Sequence, residues 1–275
     1  MQNITDTRLK QIDGEELKKV QLQILEVVAK FCEENQINYW LDFGTLIGAV
    51  RHKGYIPWDD DIDISMLRED YDKFMQLFNL RNERYKFYSY ENDKNFYYPY
   101  GKVLDTQTVL YEPDESGSKI SINIDIFVYD NAPSNAKTVK KMYKKRDKYN
   151  ICEVANKHSG AAKGNLLRRM AVAFLKGYVK MFPRDYFVKK MVKNAKRYSQ
   201  TNTEYVGDFM GSLTYFKCEK SVFDKFIDAE FEGSKFKIPV GYDKLLRMVY
   251  GDYMQLPPEE QRVSHHKYKA FIAEN

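Results

Sequence analysis

Leu41-Asp42-Phe43-Gly44-Thr45-Leu46-Ile47-Gly48-Ala49-Val50-Arg51-His52-Lys53-Gly54-Tyr55-Ile56-Pro57-Trp58-Asp59-Asp60-Asp61-Ile62-Asp63-Ile64 is the stretch on which the fold turns. Asn38–Phe43 is short and aromatic and reads as a strand, which Gly44 breaks. Thr45–Arg51 reads as a short helix and Gly54-Tyr55-Ile56-Pro57 as a turn. From Asp61 to Met66 acidic or polar residues alternate with apolar ones, the period of a half-buried strand. That period puts Asp61 and Asp63 on one side, about 7 Å apart along the chain. Asp59 shares their parity, and Asp60 should point the other way. Two such carboxylates repel, and both stay ionised only beside a counter-cation. A hard divalent ion, Mg²⁺ or Mn²⁺, suits oxygen ligands of this kind.

A second alternating run supplies a third acid. In Ser121–Tyr129, Ile122, Ile124, Ile126 and Val128 fall on one face, with Asn123, Asp125 and Phe127 on the other. An aspartate in such a strand is costly to bury unless it is paired or ligates metal. The candidate catalytic set is therefore Asp61, Asp63 and Asp125, with Asp59 as a further metal ligand. Gly44 and Thr45 stand where a helix begins, so the backbone can approach a phosphate and free N–H groups can bind it. Arg51 and Lys53 add positive charge, and the planar fork of Arg51 suits phosphate oxygens. An Asp-Asp-Asp-Ile-Asp run alone would also serve a solvated loop or a calcium-binding turn. Joined to the Gly-Thr turn and an acid on a third strand, it points to metal-dependent phosphate chemistry. The layout is that of nucleotidyltransferase-type active sites.

Around this centre, residues 14–35 carry apolar side chains at near-helical spacing, and Arg68–Leu80 reads as the next helix. Tyr85–Tyr111 should hold two or three strands. Pro133-Ser134 opens a helical region with breaks near Ser159-Gly160 and at Pro183, and residues 200–275 read as shorter helices and turns. The expected class is α+β: a nucleotidyltransferase-like mixed sheet flanked by helices, with a basic helical insertion and a C-terminal helical part. Residues 1–135 would form the catalytic core, 136–200 the basic segment, and 201–275 would complete the same domain.

The net charge of +5 is unevenly placed. Residues 137–197 hold 19 Lys/Arg against three Asp/Glu, so a basic segment sits on an otherwise acidic protein. That asymmetry suits a polyanionic partner or a solvated helical face. Within it, Leu166–Phe182 has twelve apolar residues interspersed with Arg168, Arg169, Lys176 and Lys180. Such a segment is too charged to span a bilayer but suited to lie on an anionic membrane surface. The three cysteines, Cys32, Cys152 and Cys218, are far apart and lack paired spacing, which argues against a disulfide framework or a zinc site. With no secretory signal and no long apolar run, the expected location is cytoplasmic, with a peripheral seat on the inner membrane face. The 22 Tyr and 17 Phe suit core filling or aromatic walls for polar ligands.

The quoted stretch from Leu41 to Ile64 closely resembles the signature of the LicD family. The likeness extends to Ile124-Asp125-Ile126-Phe127, and near the C-terminus to Tyr250-Gly251-Asp252-Tyr253-Met254, Pro257-Pro258 and His265-His266. It implies a nucleotidyltransferase-like fold and transfer of phosphocholine, or a related phospho-alcohol, to a cell-surface glycan or teichoic acid precursor. Asp61, Asp63 and Asp125 would then bind metal, and Gly44-Thr45 would face phosphate. The implied partners are CDP-choline or another CDP-alcohol as donor and a sugar acceptor, lipid-linked in many family members, with no nucleic acid. Choline's quaternary ammonium prefers aromatic faces, and Trp58, Tyr97, Tyr98 and Tyr100 are candidates, with strand packing as their ordinary alternative. His265 and His266 are candidates for phosphate contact or acid–base work. Two other readings stay open: a nucleotidyltransferase releasing pyrophosphate, and a non-catalytic protein holding membrane or nucleic acid through its basic segment.

Overall fold

The computed structural model describes residues 9–111, 119–157, 164–264 and 268–273. In chain order, the first part contains β1 (Leu9–Ile12), α1 (Gly14–Glu34), β2 (Trp40–Leu41), α2 (Phe43–His52), β3 (Asp63–Leu67) and α3 (Arg68–Arg81). Then come β4 (Tyr85–Tyr88), β5 (Gly101–Asp105), β6 (Thr108–Tyr111), β7 (Lys119–Ile120) and β8 (Asn123–Ala132). Three helices follow: α4 (Ala136–Lys157), α5 (Leu166–Val179) and α6 (Tyr186–Ala195). The chain closes with β9 (Tyr205–Gly207), β10 (Cys218–Glu219), β11 (Phe226–Phe231), β12 (Ser234–Pro239), α7 (Tyr242–Tyr250) and β13 (Lys269–Ala273). The class is α+β.

The first helix begins where the sequence demands. Asp13 accepts from the Glu16 amide at 2.9 Å while the Glu16 carboxylate reaches back to the Asp13 amide, a reciprocal cap with acids in the first turn. Leu17, Ile24, Leu25, Val28, Phe31 and Cys32 form its buried face. That face packs with Trp40, Leu41, Ile62, Ile64, Ile124 and Ile126 in the main core. Trp40 stacks on Phe223 at 4.3 Å and meets Tyr129 edge-on.

The main sheet runs β10-β9-β8-β3-β2, with β5 also on β8 and β4 on β5. It is mixed: β3 and β8 are parallel, and the other pairs are antiparallel. A four-stranded sheet, β1-β13-β6-β7, and the β11–β12 hairpin complete the framework. Helices α4 and α6 enclose a second core around Met142, Tyr143, Met191 and Phe209. A third, smaller core joins α4, α5 and α6 through Cys152, Val179 and Phe187. Among the described residues no helix is long and apolar enough to cross a membrane.

The C-terminal part differs from the expected run of short helices. Among the described residues beyond 200, five strands accompany one α-helix. The strands escape periodicity because β9 and β10 span only three and two residues. Their partners are also remote in sequence: β9 pairs Asp130–Ala132, and β13 pairs both β1 and β6.

Candidate active site

The two alternating runs lie side by side in one register. Asp63 is the direct partner of Asp125 across the parallel pair β3–β8, and Lys102 partners Asp125 from the other side across β5–β8. The Asp42 amide donates to the Asp63 carbonyl at 3.0 Å, so the chain that enters α2 leaves from beside the first acid. In β3, Ile64 and Met66 are fully buried whereas Asp63 is half-buried, and Ile124 and Ile126 likewise flank the more open Asp125. Strand alternation thus sends the isoleucines into the core and keeps both carboxylates on the accessible face.

The entry to α2 closes on this face. The Thr45 hydroxyl accepts from the Asp63 amide at 2.8 Å, tying the helix start to the strand start. Asp42 caps α2, and its carboxylate also accepts from the Ser65 hydroxyl at 2.6 Å. Burial pushes the Asp42 carboxyl up to about 6, against the lowering effect of those hydrogen bonds. Phe43 sits at a φ of +46°, a left-handed conformation that aromatic residues rarely adopt and that tends to persist at functional sites. Gly44 presents bare backbone to an acid: a Cβ there would lie 2.4 Å from Asp59 Oδ2.

The acids act on one another. Asp63 is pushed well above the usual carboxylate range by burial, and then by the negative charges of Asp61, Asp125, Asp59 and Asp42. Asp60 points elsewhere, accepting from the Ser264 hydroxyl at 2.8 Å. Asp61 lies just ahead of β3 rather than within it. Lys102 Nζ stands 2.5 Å from Asp125 Oδ1 and 3.0 Å from Asn123 Oδ1. Tyr250, at the end of α7, is partly exposed, and desolvation and then the charges of Asp42, Asp63, Asp59 and Asp61 raise its hydroxyl.

An aromatic band runs alongside. Phe43 meets Phe127 at 4.9 Å, Phe127 meets Tyr100 at 4.5 Å, and Tyr100 meets Tyr98 at 6.3 Å. The Lys102 ammonium lies 5.0 Å and 5.3 Å from the Tyr98 and Tyr100 ring centres, and Lys157 lies 4.0 Å over Tyr98. Trp58 is half-buried, with the Arg262 guanidinium 5.8 Å from its ring.

A family model described as LicD/FKTN/FKRP, nucleotidyltransferase domain, matches residues 36–158, which include Gly44, Asp63, Lys102 and Asp125. Over 277 aligned residues the chain is 33% identical to the lipopolysaccharide cholinephosphotransferase LicD of Haemophilus influenzae, covering 96% of this chain and 100% of that protein. The chain belongs to the LicD family. A shorter likeness, 46% over 41 residues, links it to the ribitol 5-phosphate transferase FKRP of human and mouse, covering 15% of this chain and 8% of each of those.

Within this LicD chain the expected site residues separate into groups. Asp63 and Asp125 lie side by side on β3 and β8, Asp61 and Asp59 are near enough to raise Asp63, Gly44 abuts Asp59, the buried Thr45 holds the Asp63 amide, and Tyr98 and Tyr100 lie beside Lys102. Arg51 and Lys53 lie at the far end of α2, about 10 Å along the helix from Gly44. Arg51 donates to the Tyr253 carbonyl at 2.5 Å and to His52 Nε2 at 2.9 Å, so it ties the C-terminal segment to α2. Lys53 pairs with Glu230 at 3.3 Å. His265 and His266 lie outside the described residues. Sequence reasoning assigns no role to Lys102, Asp42, Ser65 or Tyr250. The strand register exposes Lys102, since only pairing places it opposite Asp125.

Among the described residues no three Asp, Glu, His or Cys side chains are already grouped as a ready-made cation site. The chemistry of the side chains nonetheless suits a hard divalent ion: the charges that raise Asp63 are all carboxylates, and their repulsion is what a cation would relieve. Gly44→Ala tests the tight approach at Asp59. The added methyl displaces that carboxylate, so turnover should fall more than about tenfold with little change in thermal stability. Steady-state kinetics beside a melting curve would check this.

Proposed function

We propose that the protein is a transferase that moves phosphocholine, or a related phospho-alcohol, from a CDP-alcohol donor to a sugar hydroxyl of a cell-surface glycan and releases CMP. The observation that carries this reading is the in-register pairing of Asp63 with Asp125, next to the Gly44-Thr45 helix start. The LicD cholinephosphotransferase likeness over nearly the whole chain supports the choice of phosphocholine.

In this reading Asp61, Asp63 and Asp125, with Asp59, hold Mg²⁺ or Mn²⁺. When bound, that ion neutralises donor phosphate oxygens and stabilises charge on the leaving group. The α2 start offers its amides to the same phosphates. Asp125 would orient or deprotonate the attacking hydroxyl, with Lys102 at 2.5 Å steadying its carboxylate. Arg51, bonded to the Tyr253 carbonyl and His52 at the other end of α2, anchors the C-terminal segment rather than the donor phosphates. Tyr98 and Tyr100 are the proposed aromatic contacts for a cationic headgroup, which would take the place of the Lys102 and Lys157 ammoniums now lying over those rings.

Incubation with a panel of CDP-alcohols, a glycan acceptor and Mg²⁺ tests the reading, with CMP release as readout. CMP should appear with CDP-choline or a close analogue and stop when EDTA is added. Pyrophosphate release from CTP, with no CMP from any CDP-alcohol, would replace the reading with nucleotidyl transfer.

A further inference from the structure

Helix α5 has two apolar faces, and only one is used. Val172, Leu175 and Val179 share one side, and Leu175 and Val179 pack with Cys152, Tyr149 and Phe187 in the third core. At 100° per residue, Leu166, Leu167, Met170, Phe174 and Tyr178 fall within an arc of about 120° on the other side. These are among the most exposed large apolar residues described: Leu167 is 77% exposed, Phe174 79%, and Met181 just beyond the helix 79%. Scattered single apolar residues on a surface need no explanation, but a stripe on one helix face does. Between the outer and inner faces, on one flank, the same period places Arg169, Lys176 and Lys180.

We infer that the outer face of α5 seats the protein on an anionic lipid surface. Phe174, Met170 and Leu167 enter the acyl boundary, while Arg169, Lys176 and Lys180 reach the phosphates at headgroup level. Charge selects this occupant. Residues 137–197 carry 19 Lys/Arg against three Asp/Glu, so a second copy docking here would press two strongly basic segments together. An anionic bilayer meets both the apolar stripe and the charge. The seat also positions the site, because α4, α5 and α6 share a core and abut the segment between β4 and β5 that carries Tyr90, Tyr97 and Tyr98. Lys157 lies over Tyr98, Arg184 lies 4.1 Å over Tyr97, and the Tyr90 hydroxyl donates to Asp185 at 2.6 Å. The inference is independent of which group is transferred.

Sedimentation of the full chain with phosphatidylglycerol/phosphatidylcholine vesicles, against phosphatidylcholine alone, tests it. Binding should require the anionic lipid and weaken as salt rises. Leu167→Ser with Met170→Ser and Phe174→Ser should lower binding at least about tenfold, and Arg169→Glu with Lys176→Glu and Lys180→Glu by a similar factor. All six positions are on the outer face or its flank, so melting temperatures should hold, and unchanged melts confirm that folding is not the cause. Phe174→Trp should shift its emission to the blue on anionic vesicles and not on neutral ones. Failure of the wild-type chain to sediment, or equal binding by the variants, overturns the proposal. So does a lipid-free dimer that the three serine substitutions convert to monomer, which would assign the face to a second copy.

Discussion

Asp63→Asn should lower transferase turnover by about 10³-fold, some 4 kcal/mol of transition-state stabilisation. The side chain keeps its size, but the negative charge that faces Asp125 in register is gone. Asp125→Asn should do the same and also leave Lys102, 2.5 Å away, without its carboxylate. The two variants should differ in stability. The Asp63 carboxyl is raised in the folded chain, by burial and then by Asp61, Asp125 and Asp59. A carboxyl raised on folding weakens the folded state as pH climbs through and beyond its unfolded value. In EDTA at neutral pH, Asp63→Asn should therefore melt above the parent, and Asp125→Asn at or below it. Turnover within threefold of the parent for Asp63→Asn would remove this acid from the mechanism.

Arg68→Met should cost about 3–5 kcal/mol of folding stability, the usual penalty for stripping one partner from a buried ion pair. Arg68 opens α3 directly after β3, with its side chain 10% exposed, and it grips the wholly buried Asp130 of β8 through two bonds of 2.8 and 2.9 Å. Its third nitrogen reaches Glu91 at 2.7 Å and Asp72 at 3.1 Å, and Lys196 closes the network on Glu91 at 2.6 Å. Removing the guanidinium strands Asp130 without a counter-charge in the core. Arg68→Met combined with Asp130→Leu should recover much of the loss, because both charges then leave together. A denaturant titration of the two singles and the double measures this. A loss under about 1 kcal/mol in the single variant would show that solvent or a rearranged lysine compensates.

Much of the centre is legible in the order of the amino acids. Alternation marks β3 and β8, and the cost of an aspartate among isoleucines points to Asp125. The helix α1 is equally plain because its apolar period is long, and Tyr85–Tyr111, where aromatic and β-branched residues predict two or three strands, holds three. Three kinds of feature are hidden. Strands of two or three residues, such as β9 and β10, have no period. Lys102 looks like any polar residue in a strand until register sets it against Asp125. The bond from Arg51 to the Tyr253 carbonyl spans residues too far apart for local pattern to join. One further local signal is present: Glu232-Gly233, with φ of +50° and +77°, is a two-residue hairpin turn between Phe226–Phe231 and Ser234–Pro239.

The placement of β13 also constrains synthesis. It lies between β1 and β6, pairing Ala273 with Leu9 and Ala270 with both Ile12 and Leu110. A ribosome delivers β1 and β6 well before β13, so during that part of translation each has an edge waiting for the strand that joins them. Local elements such as α1 can form early, but this sheet cannot close until β13 has emerged. Until then those edges are the part of the nascent chain most open to pairing with the wrong partner.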